Sequence, residues 1–131
     1  LGHEDYEGRY DPHVWMDPTL WAKVVDRVHS AMTEAYPEGA AMFTANAEAY
    51  KEELVALGTY ARDALAQLTP EQRVLVTAHD AFGYFGTAYD FDVMGVQGIS
   101  TESEAGLSRI SELVDTLVDR DIRAVFVETP V

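Results

Sequence analysis

The chain has 131 residues, no cysteine, and 9 Lys and Arg against 23 Asp and Glu, a formal net charge of −14. Hydrophobic residues at 47% exclude a disordered chain. The lack of cysteine excludes disulfides and thiolate ligands, and a field of this sign opposes nucleic acid and anionic lipid while attracting cations.

The acidity is spread along the chain, with 5 basic and 12 acidic residues up to Leu68 and 4 and 11 beyond it. No apolar run approaches the ~20 residues that span a bilayer. The chain opens on Leu1 rather than Met, which reads as a processed or excised segment of something longer.

Residues 1–10 are polar and without period, as in a loop. Residues 11–18 (DPHVWMDP) form a turn-rich segment in which Pro12 and Pro18 push Asp11 and Asp17 out of the helical region. Asp17-Pro18 reads as N-cap and first residue of a helix running to about Tyr36. Trp21, Val24, Val25, Val28, Ala31, Met32 and Ala35 give it one apolar face, and Pro37 ends it. A second helical pattern covers residues 38–68, with Phe43, Tyr50, Leu54, Leu57, Ala61, Ala64 and Leu68 at helical spacing. About 30 residues at ~1.5 Å rise make ~45 Å of helix. That is longer than a domain of this size requires, and such a helix bridges two bodies or packs along both.

After Thr69-Pro70 the period changes. Residues 74–78 (VLVTA) read as a buried parallel strand, residues 81–89 as a short helix and residues 93–96 as a second strand. A loop at residues 100–103 leads to a helix over residues 104–120, with Leu107, Ile110, Val114 and Leu117 on one face, and residues 124–127 read as a third strand. The order β-α-β-α-β implies a parallel sheet with right-handed crossovers. Tyr84, Phe85 and Tyr89 on the short helix read as core. No P-loop, G-x-G-x-x-G, G-x-S-x-G or H-E-x-x-H is present.

Four histidines remain as candidates for chemistry. His29 reads as a solvated or half-buried helix residue, and His3 lies in an acidic loop. His13 sits in the turn that feeds the first helix. His79 follows directly on the first strand, at the carboxyl end where open α/β sheets bind ligands. Spacing alone leaves each of these two open between ligand and structural residue. A ligating histidine needs its second nitrogen held, and Asp11, Asp17 and Asp80 are near enough in sequence to do so. Glu128 ends the third strand at the same sheet edge.

DPHVWMDP, then two helices, then TAHDAFGYFGTAYDFDVMGVQGISTESEAG, then RAVFVETPV together resemble the metal-binding solute-binding proteins of ABC transporters. These are the zinc, manganese and iron receptors, including the lipoprotein adhesins. The resemblance runs in order from Asp11 to Val131. It implies an α/β chain that is part of a two-lobe solute-binding fold, with a long connecting helix and a partial parallel β-α-β-α-β sheet. Residues 1–36 then end the amino-terminal lobe and include the metal-ligand turn. Residues 37–70 form the connecting helix, and residues 71–131 begin the carboxyl-terminal lobe.

The family holds one metal ion with four ligands. The resemblance implies that His13 is the second and His79 the third, while the first, a histidine, and the fourth, an aspartate, lie outside this chain. The chain then corresponds to an internal fragment of about half the receptor. His79, a nitrogen donor, suits zinc. The segments GISTESEAG and FVET look more like the manganese branch, as does a stretch before DPH with only His3. The expected ligand is therefore a manganese or zinc ion, with manganese placed first.

The implied function is extracytoplasmic capture of that ion, in the periplasm or on the outer face of the cell membrane, and delivery to an ABC permease. The metal is cargo and no catalysis is expected. Two alternatives remain: a metal-dependent hydrolase with His13, His79 and Glu128 around an activated water, and an adhesin acting through its surface. Strands lacking covering helices also lead to the expectation that the fragment self-associates.

Overall fold

The structure, a computed structural model, describes residues 10–97 and 107–127. Contacts divide these into a helical unit, Val14–Gln67, and a sheet unit made of residues 10–13 together with those described after Gln67.

The helical unit contains α1 (Pro18–Ala35), a 3-10 turn (Pro37–Gly39) and α2 (Ala40–Leu65). Asp17 takes an extended conformation, and its carboxylate accepts the Thr19 N–H at 2.8 Å. Pro18 follows at the first helical position, where a missing N–H costs nothing. Pro37 cannot extend α1, so the chain turns through one 3-10 turn before α2 begins. The expected helix over residues 38–68 is therefore α-helical over 26 residues, ~39 Å at 1.5 Å rise.

The two helices pack against each other, and Leu54 of α2 is 7% exposed. Polar ties flank that seam. The Trp21 indole N–H donates to the Tyr50 hydroxyl at 3.1 Å, and Lys51 donates to Asp26 at 2.8 Å. That hydrogen bond holds the Lys51 ammonium above its ordinary pKa. Val28, Met32 and Leu57, expected on the apolar faces, are exposed. The apolar stripe is thus wider than the seam that α1 and α2 bury against each other.

In the sheet unit, β1 (Val74–Thr77) pairs in parallel with β2 (Asp92–Gly95), Val74 opposite Asp92 and Thr77 opposite Gly95. Between them lies α3 (Gly83–Tyr89), and α4 (Leu107–Asp119) follows β2. A Cβ on Gly86 would lie 2.8 Å from both the Phe91 carbonyl and the Val93 side chain, so α3 packs on β2 only with glycine there. Phe82, Phe85, Tyr89 and Phe91 form an aromatic cluster with ring centroids 4.8–6.3 Å apart. Arg120, just beyond α4, pairs with Asp92 at the start of β2.

The expected third strand over residues 124–127 is reduced to one parallel bridge, Phe126 with Thr77. Phe126 donates to Val76 O at 2.8 Å and accepts from Ala78 N at 3.0 Å. Strand pairing draws its stability from side chains packed on the pleated faces, and Val125, Phe126 and Val127 are all exposed, so among the described residues of this segment pairing is confined to Phe126. β1 nevertheless has neighbours on both sides at its carboxyl end, and Val76 and Thr77 are fully buried. Among the described residues, no helix is long and apolar enough to cross a membrane.

Leu54 and Leu57 share one helix but differ in burial, 7% against 51% exposed. Leu54→Ala is expected to destabilise the 131-residue chain by about 2–5 kcal/mol, and Leu57→Ala by well under 1 kcal/mol. Urea denaturation of the two variants checks this; equal costs would contradict the seam described here.

Candidate metal centre

His79 lies two residues beyond β1, and its position follows from how that strand ends. The buried Thr77 hydroxyl donates to the His79 carbonyl at 2.7 Å. The Ala81 N–H donates to the same carbonyl at 3.1 Å. Val96 and Gln97 continue the ladder past β2 by donating to the carbonyls of Thr77 and Ala78 at 2.9 and 2.8 Å. A Cβ on Gly95 would fall 2.6 Å from Asp80 Cβ and 2.8 Å from its backbone. Glycine at that position lets the His79–Asp80 turn rest on the end of β2. Asp80 is buried as a result, and His79 is half-buried.

His13 is fixed by a different device. Asp11 Oδ1 accepts the backbone N–H of His13 at 2.9 Å and lies 2.7 Å from its Nδ1. A carboxylate only accepts, so Nδ1 carries the proton and the lone pair of the neutral ring resides on Nε2. His13 is 8% exposed, and the Asp11 carboxylate is similarly buried. The Asp11 turn is held from α3: the Tyr84 hydroxyl donates to Asp11 O at 3.2 Å, and a Cβ on Gly83 would come within 3.2 Å of Asp11 Oδ2.

These two devices bring together residues 66 positions apart in sequence. The His13 and His79 rings have centroids 5.6 Å apart and planes inclined at 65°. Among the described residues no group of three or more His, Asp or Glu forms a metal-holding cluster. Of the three carboxylates near enough in sequence to orient a histidine, Asp11 does so, and Asp17 serves as the N-cap of α1. His29 lies in the helical unit, where its Nε2 is 2.9 Å from the Thr44 hydroxyl. His3, Glu128 and the segment GISTESEAG lie outside the described residues.

Sequence reasoning took Tyr84 for core; its ring is half-buried, but its hydroxyl reaches the His13 turn. Nothing in local periodicity signals a bond across 73 positions. The close approach at Gly95 was also missed. A lone glycine ending a strand is the signal that marks such an approach.

Gly95→Ala is expected to cost about 1–3 kcal/mol, because the methyl meets Asp80 backbone rather than a movable side-chain end. Chemical denaturation measures the cost. An unchanged midpoint would contradict the close packing of the His79 turn on β2.

The family described as zinc-uptake complex component A, periplasmic (ZnuA), matches residues 1–131. The chain is 48% identical over 126 residues to the manganese-binding lipoprotein MntA of Bacillus subtilis (strain 168), covering 95% of this chain and 41% of that protein. It is 42% identical over 125 residues to the zinc-binding protein TroA of Treponema pallidum (strain Nichols), with the same coverage of each. The solved structure of the periplasmic zinc binding protein TroA from Treponema pallidum superposes with a TM-score of 0.93 at 42% identity, over 100% of this chain and 47% of that one. The chain thus spans less than half the length of these relatives, and its α/β fold is part of the two-lobe solute-binding fold. A strand-end histidine and a carboxylate-held histidine meet in the sheet unit of a chain that belongs to the periplasmic zinc-uptake component A family.

Proposed function

We propose that the protein captures a divalent transition-metal ion outside the cytoplasm and delivers it to an ABC permease, with His13 and His79 as two of the ligands and the ion as cargo. The approach of the two rings carries this reading. Two imidazoles on one tetrahedral ion, with ligating nitrogens ~2.0–2.1 Å from the metal, have centroids ~5 Å apart. The 5.6 Å separation of His13 and His79 is close to that value. A carboxylate on the Nδ1 of a histidine is the usual outer partner of a metal-ligating imidazole, and Asp11 fills that role.

Manganese or zinc is the proposed cargo. Imidazole suits zinc, and manganese accepts it within a set that includes oxygen donors. Manganese stands first on the 48% identity to the manganese-binding relative, against 42% to the zinc-binding one. The periplasmic description of the family and the lipoprotein name of one relative support a place outside the cytoplasm. The division of the chain into residues 1–36, 37–70 and 71–131 belongs to the same proposal, supported by the length of α2. Membership in a family of binding components leaves the hydrolase reading unsupported. The surface-adhesin reading is not favoured by the relatives.

In the full-length protein, His13→Ala and His79→Ala are each expected to weaken manganese and zinc binding more than about 100-fold, since loss of a ligand exceeds the 10–100-fold cost of losing an outer partner. His29→Ala should leave affinity unchanged. Titration calorimetry of the three variants decides the assignment, and tight binding retained by His79→Ala would contradict it.

Self-association of the 131-residue chain is part of the proposal, supported by exposed Val125, Phe126 and Val127 beside a sheet position with a single bridge. Covering a few hundred Å² of apolar surface at ~25 cal/mol per Å² favours pairing by several kcal/mol, while the acidic charge is screened beyond ~8 Å at physiological salt. Light scattering at micromolar concentration should report a species heavier than the 14.5 kDa chain, and a monodisperse species of that mass would contradict the proposal.

A further inference from the structure

We propose that Tyr84 is a positioning residue for metal capture: its hydroxyl, donating to the Asp11 carbonyl, ties the turn that carries His13 to the unit that carries His79. The inference rests on reading those histidines as ligands.

The geometry runs through one short chain of contacts. Tyr84 is the second residue of α3, and its hydroxyl lies 3.2 Å from Asp11 O. The carboxylate of the same Asp11 accepts from both the backbone N–H and the ring Nδ1 of His13. Rotation or drift of residues 11–13 therefore moves the His13 ring, and the Tyr84 bond opposes that drift. The backbone that carries the other ring is anchored by Thr77 through the His79 carbonyl and by the close approach of Gly95 to Asp80. α3 is itself locked to β2 by the close approach at Gly86. Tyr84 thus reaches from a helix fixed to the His79 side across to the turn bearing the other imidazole. Two ligands held at a set separation bind an ion with less ordering cost than two that must first be brought together.

The function of Tyr84 is separable from packing. Its neighbour Phe85 stacks on Tyr89 and Phe91, at 4.8 and 5.3 Å between centroids, and belongs to the core of α3. Tyr84→Phe keeps the ring and removes only the donor. Phe85→Leu weakens the core and leaves the donor in place.

The test uses the full-length protein with zinc or manganese ions alone as titrant, followed by calorimetry, and thermal melts of each metal-free variant. Tyr84→Phe is expected to weaken the affinity about three- to tenfold, the range for one hydrogen bond, with a melt close to that of the parent protein. Phe85→Leu should lower the melting temperature and keep the affinity of the folded protein. Unchanged affinity in Tyr84→Phe, or an equal loss in Phe85→Leu, would overturn the proposal. His13→Ala, measured alongside, separates the two levels. If it binds as the parent does, the ligand reading itself fails; if it loses affinity while Tyr84→Phe does not, only the positioning role fails.

Discussion

The carboxyl end of β1 converges on Thr77. This residue is 1% exposed, pairs with Gly95 on one side and bridges Phe126 on the other. Its carbonyl accepts from Val96, and its hydroxyl donates to the carbonyl of His79. A buried hydroxyl without a partner costs about 1–3 kcal/mol, so the chain leaving the strand is held where its carbonyl meets that donor. The bend at residues 78–80 follows from this constraint, as does the placing of Asp80 against Gly95. The His79 ring is presented at the sheet edge by a backbone fixed on three sides, in the place where parallel strands deliver ligands in open α/β sheets.

His13 reaches the same place from the opposite direction in sequence. Its turn contains Pro12 and is closed by Asp11, whose one oxygen serves two donors of the same residue. The consequence is chemical as well as geometric. With the proton on Nδ1, the lone pair of the ring is on Nε2, the nitrogen left able to ligate. The net charge of −14 acts at longer range, drawing cations toward the molecule without choosing among them. On the proposed reading selection falls to the donor atoms, and imidazole nitrogens favour transition metals over calcium or magnesium, which prefer oxygen.

Much of this was legible in the residues, and the parts that were not have physical reasons. Asp17-Pro18 marks the start of α1, because an extended N-cap and a proline at the first helical position act locally. The apolar, largely β-branched run before His79 marks β1, whose Val76 and Thr77 are buried. The α-helical part of the long helix came out shorter than its apolar period, since Pro37 and Gly39 favour a 3-10 turn first. Residues 124–127 have the composition of a strand, yet pairing needs buried faces and theirs are exposed. That Asp11 orients His13, while Asp17 caps α1, is set by the turn. The Tyr84 bond spans 73 positions and exists only once α3 is seated on β2. The resemblance carried by DPHVWMDP and the segment around HDAF assigned the family, which matches the whole chain.

The central claim is that His13 and His79 form one prebuilt pair, with His13 in a fixed tautomer, and that this pair meets the ion. Nitrogen-15 NMR of the histidine rings during zinc titration of the full-length protein tests it most directly. The account predicts that metal-free His13 is protonated at Nδ1, and that one titration shifts the ring nitrogens of His13 and His79 together while His29 stays fixed. A His13 ring protonated at Nε2 instead, or shifts at His29 that match those of His79, would contradict it.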